Sequence, residues 1–112
     1  MSKSTTAKRN RARGKEHQKA VANLVKGLNL GTLGGVDVLT KDFSIECKSR
    51  VKFVGYGWMD QAERHNKKYS KVPLVVIHQK GKRYTSDLVL LRITDFLELI
   101  AIKEERDGGK NT

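Results

Sequence analysis

Residues 34–50 read GGVDVLTKDFSIECKSR, a stretch in which apolar side chains alternate with polar and charged ones. This alternation predicts two strands, over 36–39 and 43–50, because successive side chains of a strand point to opposite faces of a sheet. Lys41–Asp42 between them predicts a two-residue turn, so we expect an antiparallel hairpin. The rest of the predicted fold is arranged around this hairpin.

The charged side chains of the hairpin share one predicted face. The other face, which we assign to the core, carries the apolar side chains Val36, Val38, Phe43, Ile45 and Cys47. With a two-residue turn Val38 pairs with Ile45, and Asp37 falls opposite Glu46, with Lys48 on the same face. Two facing carboxylates repel each other and cost stability. Either a salt bridge to Lys48 or a bound divalent cation would compensate, and the sequence leaves both open.

The flanking segments predict an α/β fold. Val21, Leu24, Val25 and Leu28 follow the i, i+3, i+4, i+7 pattern of an amphipathic helix that begins near Gly14. The remaining predicted elements are a helix from Trp58 to about Tyr69, a strand KVPLVVIHQ (71–79), a turn at Gly81–Lys82, a strand RYTSDLVLL (83–91) and a helix FLELIAIKEE (96–105). The order α-β-β-α-β-β-α predicts a single α/β domain, with a mixed central β-sheet flanked by helices.

The length of 112 residues is enough for one domain with one modest core. We expect a flexible basic arm over 1–12, a folded domain over 13–106 and a disordered tail over 107–112. No apolar run approaches the ~18 residues that a membrane span needs, and the N-terminus lacks a secretory signal, so we expect a cytoplasmic protein without membrane contacts. A single cysteine, Cys47, excludes a disulfide within the chain.

The charge of the chain favours a polyanionic partner. Lys and Arg number 23 against 12 Asp and Glu, which gives a formal charge of +11 and a pI of about 10.0. Nucleic acid is favoured over an acidic membrane because no basic amphipathic helix stands out.

The acidic face of the hairpin fits a hard cation. Carboxylate oxygens without thiols or clustered imidazoles are ligands for Mg²⁺ or Mn²⁺. Such an ion polarises a phosphate and activates water, and a nearby ammonium such as that of Lys48 steadies the developing charge. This combination indicates phosphodiester hydrolysis. The competing interpretation is a salt-bridged cluster without catalysis.

The same residues match a family signature. VD at 36–37 followed by IECK at 45–48 resembles the D-x(n)-E-x-K motif of the PD-(D/E)XK nuclease superfamily, with Val36 in place of the motif's proline. More narrowly, the chain is similar to archaeal-type Holliday junction resolvases and their small phage relatives. RARGKEHQKAVANLVKGL (11–28) resembles their opening helix with its acidic residue, and MDQAERHN (59–66) resembles a later helix with a glutamine. The resemblance covers roughly 11–70 and implies a restriction-endonuclease-like fold.

The resemblance also implies an active site. Its residues would be Glu16, Asp37, Glu46, Lys48 and Gln61, with the backbone carbonyl of Cys47 as a further metal ligand. Asp37 and Glu46 would bind Mg²⁺, for which Mn²⁺ would substitute, and Glu16 would complete the metal shell directly or through water. Lys48 would be the catalytic lysine and Gln61 would support the site. For Glu16 the alternative is a surface pair with Lys19, and for Gln61 an exposed position without a role.

The activity that the resemblance implies is structure-selective cleavage of DNA, namely the resolution of four-way junctions by symmetric nicks in recombination and repair. One chain holds one site, so two cuts require a homodimer. The alternatives are another repair or restriction-type nuclease of the superfamily, and a basic DNA-binding protein without catalysis. The interface would be the apolar stripe of the last helix or the strand edge near Lys80–Tyr84.

We expect DNA contacts mainly to the phosphate backbone, because no segment is typical of a base-reading helix. The candidate contact residues are Arg9, Arg11, Arg13, Lys15, Arg50 and Lys52, with Tyr56 as a candidate for stacking on an unpaired base. His17, His65 and His78 show no metal-ligand spacing to one another. Cys47 alternates towards the core and is expected to be an inert thiol.

Overall fold

The elements are described in a computed structural model that covers residues 3–31, 35–49 and 52–110. In chain order they are α1 (Lys3–Val25), β1 (Leu28–Asn29), β2 (Val38–Leu39), β3 (Phe43–Ser49), α2 (Gly55–Asn66), β4 (Val72–His78), the 3-10 turn η1 (Tyr84–Ser86), β5 (Leu88–Leu90) and α3 (Ile93–Lys110). Arg50, at the end of the predicted hairpin, lies outside the described residues.

The hairpin forms in the predicted register. β2 and β3 run antiparallel with Val38 opposite Ile45, and the N–H of Thr40 donates to the carbonyl of Phe43 at 3.0 Å across the turn. Because one pair fixes all the others in a ladder, this register places Asp37 and Glu46 on the same face.

The sheet has the order β1-β2-β3-β4-β5. The pair β3–β4 is parallel and the other three pairs are antiparallel. A parallel pair needs a crossover, and α2 supplies it. The predicted single α/β domain with a mixed central sheet flanked by helices is confirmed.

Helices cover both faces of the sheet. On one face, Val21 and Ala22 of α1 pack against Val38, Ile45 and Val76. On the other face α2 packs over the sheet, and its buried side chains Trp58, Met59 and Ala62 form a second cluster with Val75. Val75 and Val76 are neighbours on β4 and point to opposite faces, which is why β4 is almost continuously apolar.

The structure corrects the predicted bounds of the terminal helices. α1 begins at Lys3, so the part of the predicted basic arm over 3–12 is helical. This segment holds no Gly or Pro, and a helix extends readily once later turns are packed. α3 likewise continues through 107–110 of the predicted tail, while residues 1, 2, 111 and 112 lie outside the described residues.

Several interior predictions also need correction, among them the second helix, which spans Gly55–Asn66 rather than Trp58 to about Tyr69. Of the apolar stripe assigned to the first helix, only Val21 is buried, whereas Leu24, Val25 and Leu28 are exposed. The predicted strand 83–91 is confined to β5, because Ser86 bonds back to the carbonyl of Arg83 through both its N–H (3.0 Å) and its hydroxyl (2.7 Å). Such local bonds favour a turn over a strand. None of the helices in the described part of the chain is long and apolar enough to cross a membrane.

Candidate active site

Asp37 immediately precedes β2 and lies close to Glu46 of β3. The N–H of Asp37 donates to the carbonyl of Ile45 at 3.2 Å, although the β2–β3 register would place Asp37 opposite Glu46, so the pairing slips by one residue just before β2. The side chain of Asp37 turns back over β3, and its Oδ2 accepts a hydrogen bond from the N–H of Cys47 at 2.9 Å. The carboxyl of Asp37 is thereby placed close enough to Glu46 for each group to affect the pKa of the other.

Glu46 is far more buried than its place on the charged face of the hairpin predicts. It is only 4% exposed, because α2 covers this face of the sheet. Its Oε1 lies 2.6 Å from Nδ1 of His65 on α2, a hydrogen bond in which the carboxylate accepts. The sequence prediction gave His65 no role. The available signal was its position one helical turn after Gln61, which places both side chains on one side of α2.

Both carboxyls are harder to ionise than usual. Burial raises the pKa of Asp37, against the opposing effects of the Cys47 N–H and the Lys48 ammonium. Burial also raises the pKa of Glu46, and the neighbouring charge of Asp37 adds to the rise, while the hydrogen bond to His65 opposes it. Two adjacent acids in this state are stabilised by a proton or a cation between them.

Lys48 and Gln61 are in direct contact. Lys48 lies near the end of β3 on the face of Glu46, and its Nζ donates to Oε1 of Gln61 at 2.8 Å. Among the described residues, the hydrogen-bond partner of this ammonium is thus a neutral amide and not a carboxylate. Four of the predicted site residues therefore gather on the side of the sheet that α2 covers.

Glu16 lies apart from this group. It is exposed on α1 and lines a cavity of about 660 Å³, together with Cys47 and Lys48. Within the described part of the chain, Glu16 forms no hydrogen bond or ion pair with Asp37 or Glu46.

The thiol of Cys47 points towards the α1 side of the sheet, where it packs on the apolar cluster. Burial and the nearby carboxylates raise the pKa of this thiol well above its usual value. A thiol with a raised pKa is a weak nucleophile and metal ligand, so the backbone carbonyl of Cys47 stays the candidate ligand.

The candidate DNA contacts lie at the surface. Arg9, Arg11, Arg13 and Lys15 are exposed along α1, and Arg11 and Arg13 also line the 660 Å³ cavity. The guanidinium of Arg13 is hydrogen-bonded to the side chain of Asn10. Lys52 is exposed, and Tyr56 is 84% exposed in the first turn of α2. Arg50 lies outside the described residues.

Comparisons with protein-family models, curated proteins and solved structures found no match to this chain.

Proposed function

We propose that the chain is a metal-dependent, structure-selective DNA endonuclease of the cytoplasm that resolves four-way junctions by symmetric phosphodiester hydrolysis. The observation that carries this proposal is the pair of adjacent acids Asp37 and Glu46, whose burial opposes ionisation, beside an ammonium held by a neutral amide. Stability alone does not favour such a pair, because apolar or neutral side chains would avoid the repulsion.

The donor atoms fit a hard cation. Asp37, Glu46 and the backbone carbonyl of Cys47 offer oxygen, the ligand that Mg²⁺ and Mn²⁺ prefer, and Glu16 would reach the ion through water. A bound Mg²⁺ would polarise the phosphate and lower the pKa of a water molecule. The chain prepares its ligands in two ways: the N–H of Cys47 fixes the carboxylate of Asp37, and the ring of His65 fixes that of Glu46.

Lys48 supplies the positive charge of the site. Its ammonium would face the scissile phosphate and stabilise the charge that develops in the transition state. Gln61 positions this ammonium without neutralising it, since an amide oxygen accepts a hydrogen bond but carries no net charge.

The DNA would be held through its backbone. The exposed Arg and Lys side chains of α1 line or approach the cavity that Lys48 also lines, so phosphates bound there would lie near the site. Phosphate contacts read geometry rather than sequence, as selection of a branched structure requires.

A homodimer would supply the two cuts. Exposed apolar side chains on β5 and α3 support an interface between two copies of the chain: Leu88, Val89, Ile93, Phe96, Leu97 and Ile102. None of the α3 side chains from Ile93 to Gly108, the ones whose exposure is described, is buried, so the helix offers its apolar side chains to a second copy. The edge near Lys80–Tyr84 is the less favoured alternative, because Lys80 and Arg83 are charged and exposed.

The burial of Glu46 favours a second candidate function. A carboxylate that is 4% exposed and bonded to His65 also suits a basic DNA-binding protein in which the cluster only holds α2 on the sheet. Such a protein would bind branched DNA without cutting it.

Cleavage of matched substrates tests the proposal. A labelled four-way junction and a linear duplex of the same arm sequence are incubated with Mg²⁺ and the wild type, Lys48→Ala or Lys41→Ala. Lys41 is an exposed lysine at the opposite end of β3 and serves as the control. We expect paired nicks in the junction alone, lost in Lys48→Ala and kept in Lys41→Ala. Equal cutting of both substrates would indicate another nuclease of the superfamily, and binding without cutting would indicate the non-catalytic protein.

A further inference from the structure

A second polar cluster lies on the α1 side of the sheet, away from the acidic hairpin. It joins His17 of α1, His78 at the end of β4 and Asp87 between η1 and β5. The carboxylate of Asp87 bridges the two rings, with Oδ2 2.7 Å from Nε2 of His17 and Oδ1 2.6 Å from Nδ1 of His78. Three segments distant in the chain thus converge on one carboxylate.

The cluster is enclosed by protein. His17 is 1% exposed, and the side chains of His78 and Asp87 are nearly as buried. The ring of Tyr84 stacks on His17 with centroids 5.6 Å apart and an angle of 11°, and it lies 4.5 Å from the ring of His78. The packing therefore fixes the orientation of both imidazoles before any ligand arrives.

The three side chains have the composition of a transition-metal site. Two imidazole nitrogens and one carboxylate form a three-ligand set found in catalytic zinc sites and in the non-haem iron triad. Imidazole suits Zn²⁺ and its neighbours, whereas Mg²⁺ prefers oxygen. This set therefore differs in kind from the oxygen donors of Asp37 and Glu46.

The spacing also fits. One ligand atom from each side chain lies within 4.8 Å of the other two. In a tetrahedral site with metal–ligand bonds of about 2.05 Å, ligand atoms lie about 3.3 Å apart. The contacts of 2.7 and 2.6 Å involve different oxygens of Asp87, so binding of an ion through one oxygen requires the carboxylate to turn as the ion replaces the hydrogen-bonding protons between Asp87 and the two rings.

We propose that His17, His78 and Asp87 bind one divalent transition-metal ion of the zinc type. The ion ties α1 to the end of β4 and to the segment before β5, and three protein ligands leave one position of four for water. An ion would enter from the 660 Å³ cavity, which His78 and Tyr84 line. This site uses none of the ligands of the proposed nuclease site, although Lys48 lines the same cavity, and its test requires neither DNA nor Mg²⁺.

Titration of the chelator-treated full chain with Zn²⁺ by calorimetry tests the proposal, with Co²⁺ absorption as a second readout. The variants Asp87→Asn and His78→Gln remove ligands. One matched control is His65→Gln, which removes a histidine outside the cluster. The other is the double variant Asp37→Asn/Glu46→Gln, which removes the two carboxylates of the acidic hairpin. Circular dichroism in metal-free buffer checks that every variant is folded.

We expect one equivalent of Zn²⁺ bound by the wild type and by both controls. Affinity falls at least about tenfold in His78→Gln and Asp87→Asn, since loss of even an outer-shell partner costs about 10- to 100-fold. The Co²⁺ form of the wild type shows the intense visible bands of a tetrahedral nitrogen-containing site. Absence of Zn²⁺ binding by the wild type, or binding that is lost in the controls and kept in His78→Gln, overturns the proposal. The wild-type titration decides the question even if Asp87→Asn does not fold.

Discussion

Each face of the sheet buries a carboxylate against histidine, but the two clusters have opposite ratios of carboxylate to imidazole groups. Under α2, Glu46 has one imidazole partner and a second carboxylate, Asp37, as its neighbour. Under α1, the single carboxylate of Asp87 is shared by two imidazoles. A surplus of carboxylate oxygen makes the first cluster receptive to a hard cation, and a surplus of imidazole nitrogen makes the second receptive to a softer one.

The largest difference between the clusters should appear in catalysis. Asp37→Asn removes a charged ligand and should lower the rate of junction cleavage by at least about 10²- to 10³-fold, comparable to the loss of one group that stabilises transition-state charge. Junction binding in Ca²⁺, measured by gel shift, should persist. His78→Gln in the other cluster should leave the rate within about threefold of the wild type in Mg²⁺. Equal losses in the two variants would remove the distinction between the clusters.

The second largest difference between the clusters should appear in the free energy of unfolding. Asp87→Ala strips the partner from two buried rings at once and should lower the free energy of unfolding by about 3 kcal/mol, since each unpaired buried polar group costs about 1–3 kcal/mol. Urea unfolding in the presence of a chelator measures this change, and Asp42→Ala, an exposed acid in the hairpin turn, is the control. A loss below about 1 kcal/mol would mean that Asp87 does not hold the two rings in place.

The pH dependence of stability should have opposite signs for the two clusters. Burial raises the pKa of Glu46, so the folded state keeps its proton longer than the unfolded chain does. This term lowers the free energy of unfolding as pH rises from the ordinary glutamate range through the raised pKa. Burial lowers the pKa of His17 below 6.5. The contribution of His17 to the free energy of unfolding is therefore fully present above pH 6.5 and is lost as pH falls through the lowered pKa.

Unfolding profiles of variants separate these two terms. In metal-free buffer, Glu46→Gln should remove a decline in the free energy of unfolding as pH rises. His17→Gln should remove a decline in the free energy of unfolding as pH falls. If both substitutions shift the profile in the same direction, the assignment of the two pKa changes is incorrect.

The smallest expected effect concerns the exposed face of α1. His17 lies on the opposite, buried face of this helix. Arg9→Ala should weaken junction binding only a few-fold and reduce the slope of log affinity against log salt by about 1, as loss of one phosphate contact does. Fluorescence anisotropy over a salt series measures both. The exposed Lys103 of α3 provides the control substitution, Lys103→Ala, for which no change of slope is expected.

The hairpin and its register followed from the sequence because strand alternation is local. Val38 and Ile45 lie only seven residues apart, and the turn between them fixes which side chains share a face. The same alternation grouped Asp37, Glu46 and Lys48, and the family resemblance added Gln61, which contacts Lys48.

The burial of Glu46 and the meeting of His17, His78 and Asp87 could not be predicted from the sequence. Glu46 is buried because α2 crosses over its face, which no local pattern around Glu46 reveals. The apolar stripe of α1 was misplaced because His17, a polar residue, occupies the buried face one turn before Val21. His17, His78 and Asp87 come from three separated segments, so ligand spacing along the chain gives no signal for their meeting.

The central claim is that the acidic hairpin is an active site rather than a structural support for α2. Parallel measurement of unfolding and single-turnover junction cleavage for Glu46→Gln tests it most directly. We predict a free energy of unfolding in metal-free buffer equal to or above that of the wild type, because repulsion with Asp37 is relieved, together with cleavage at least about 10²-fold slower. A clear loss of stability with cleavage unchanged would contradict the claim.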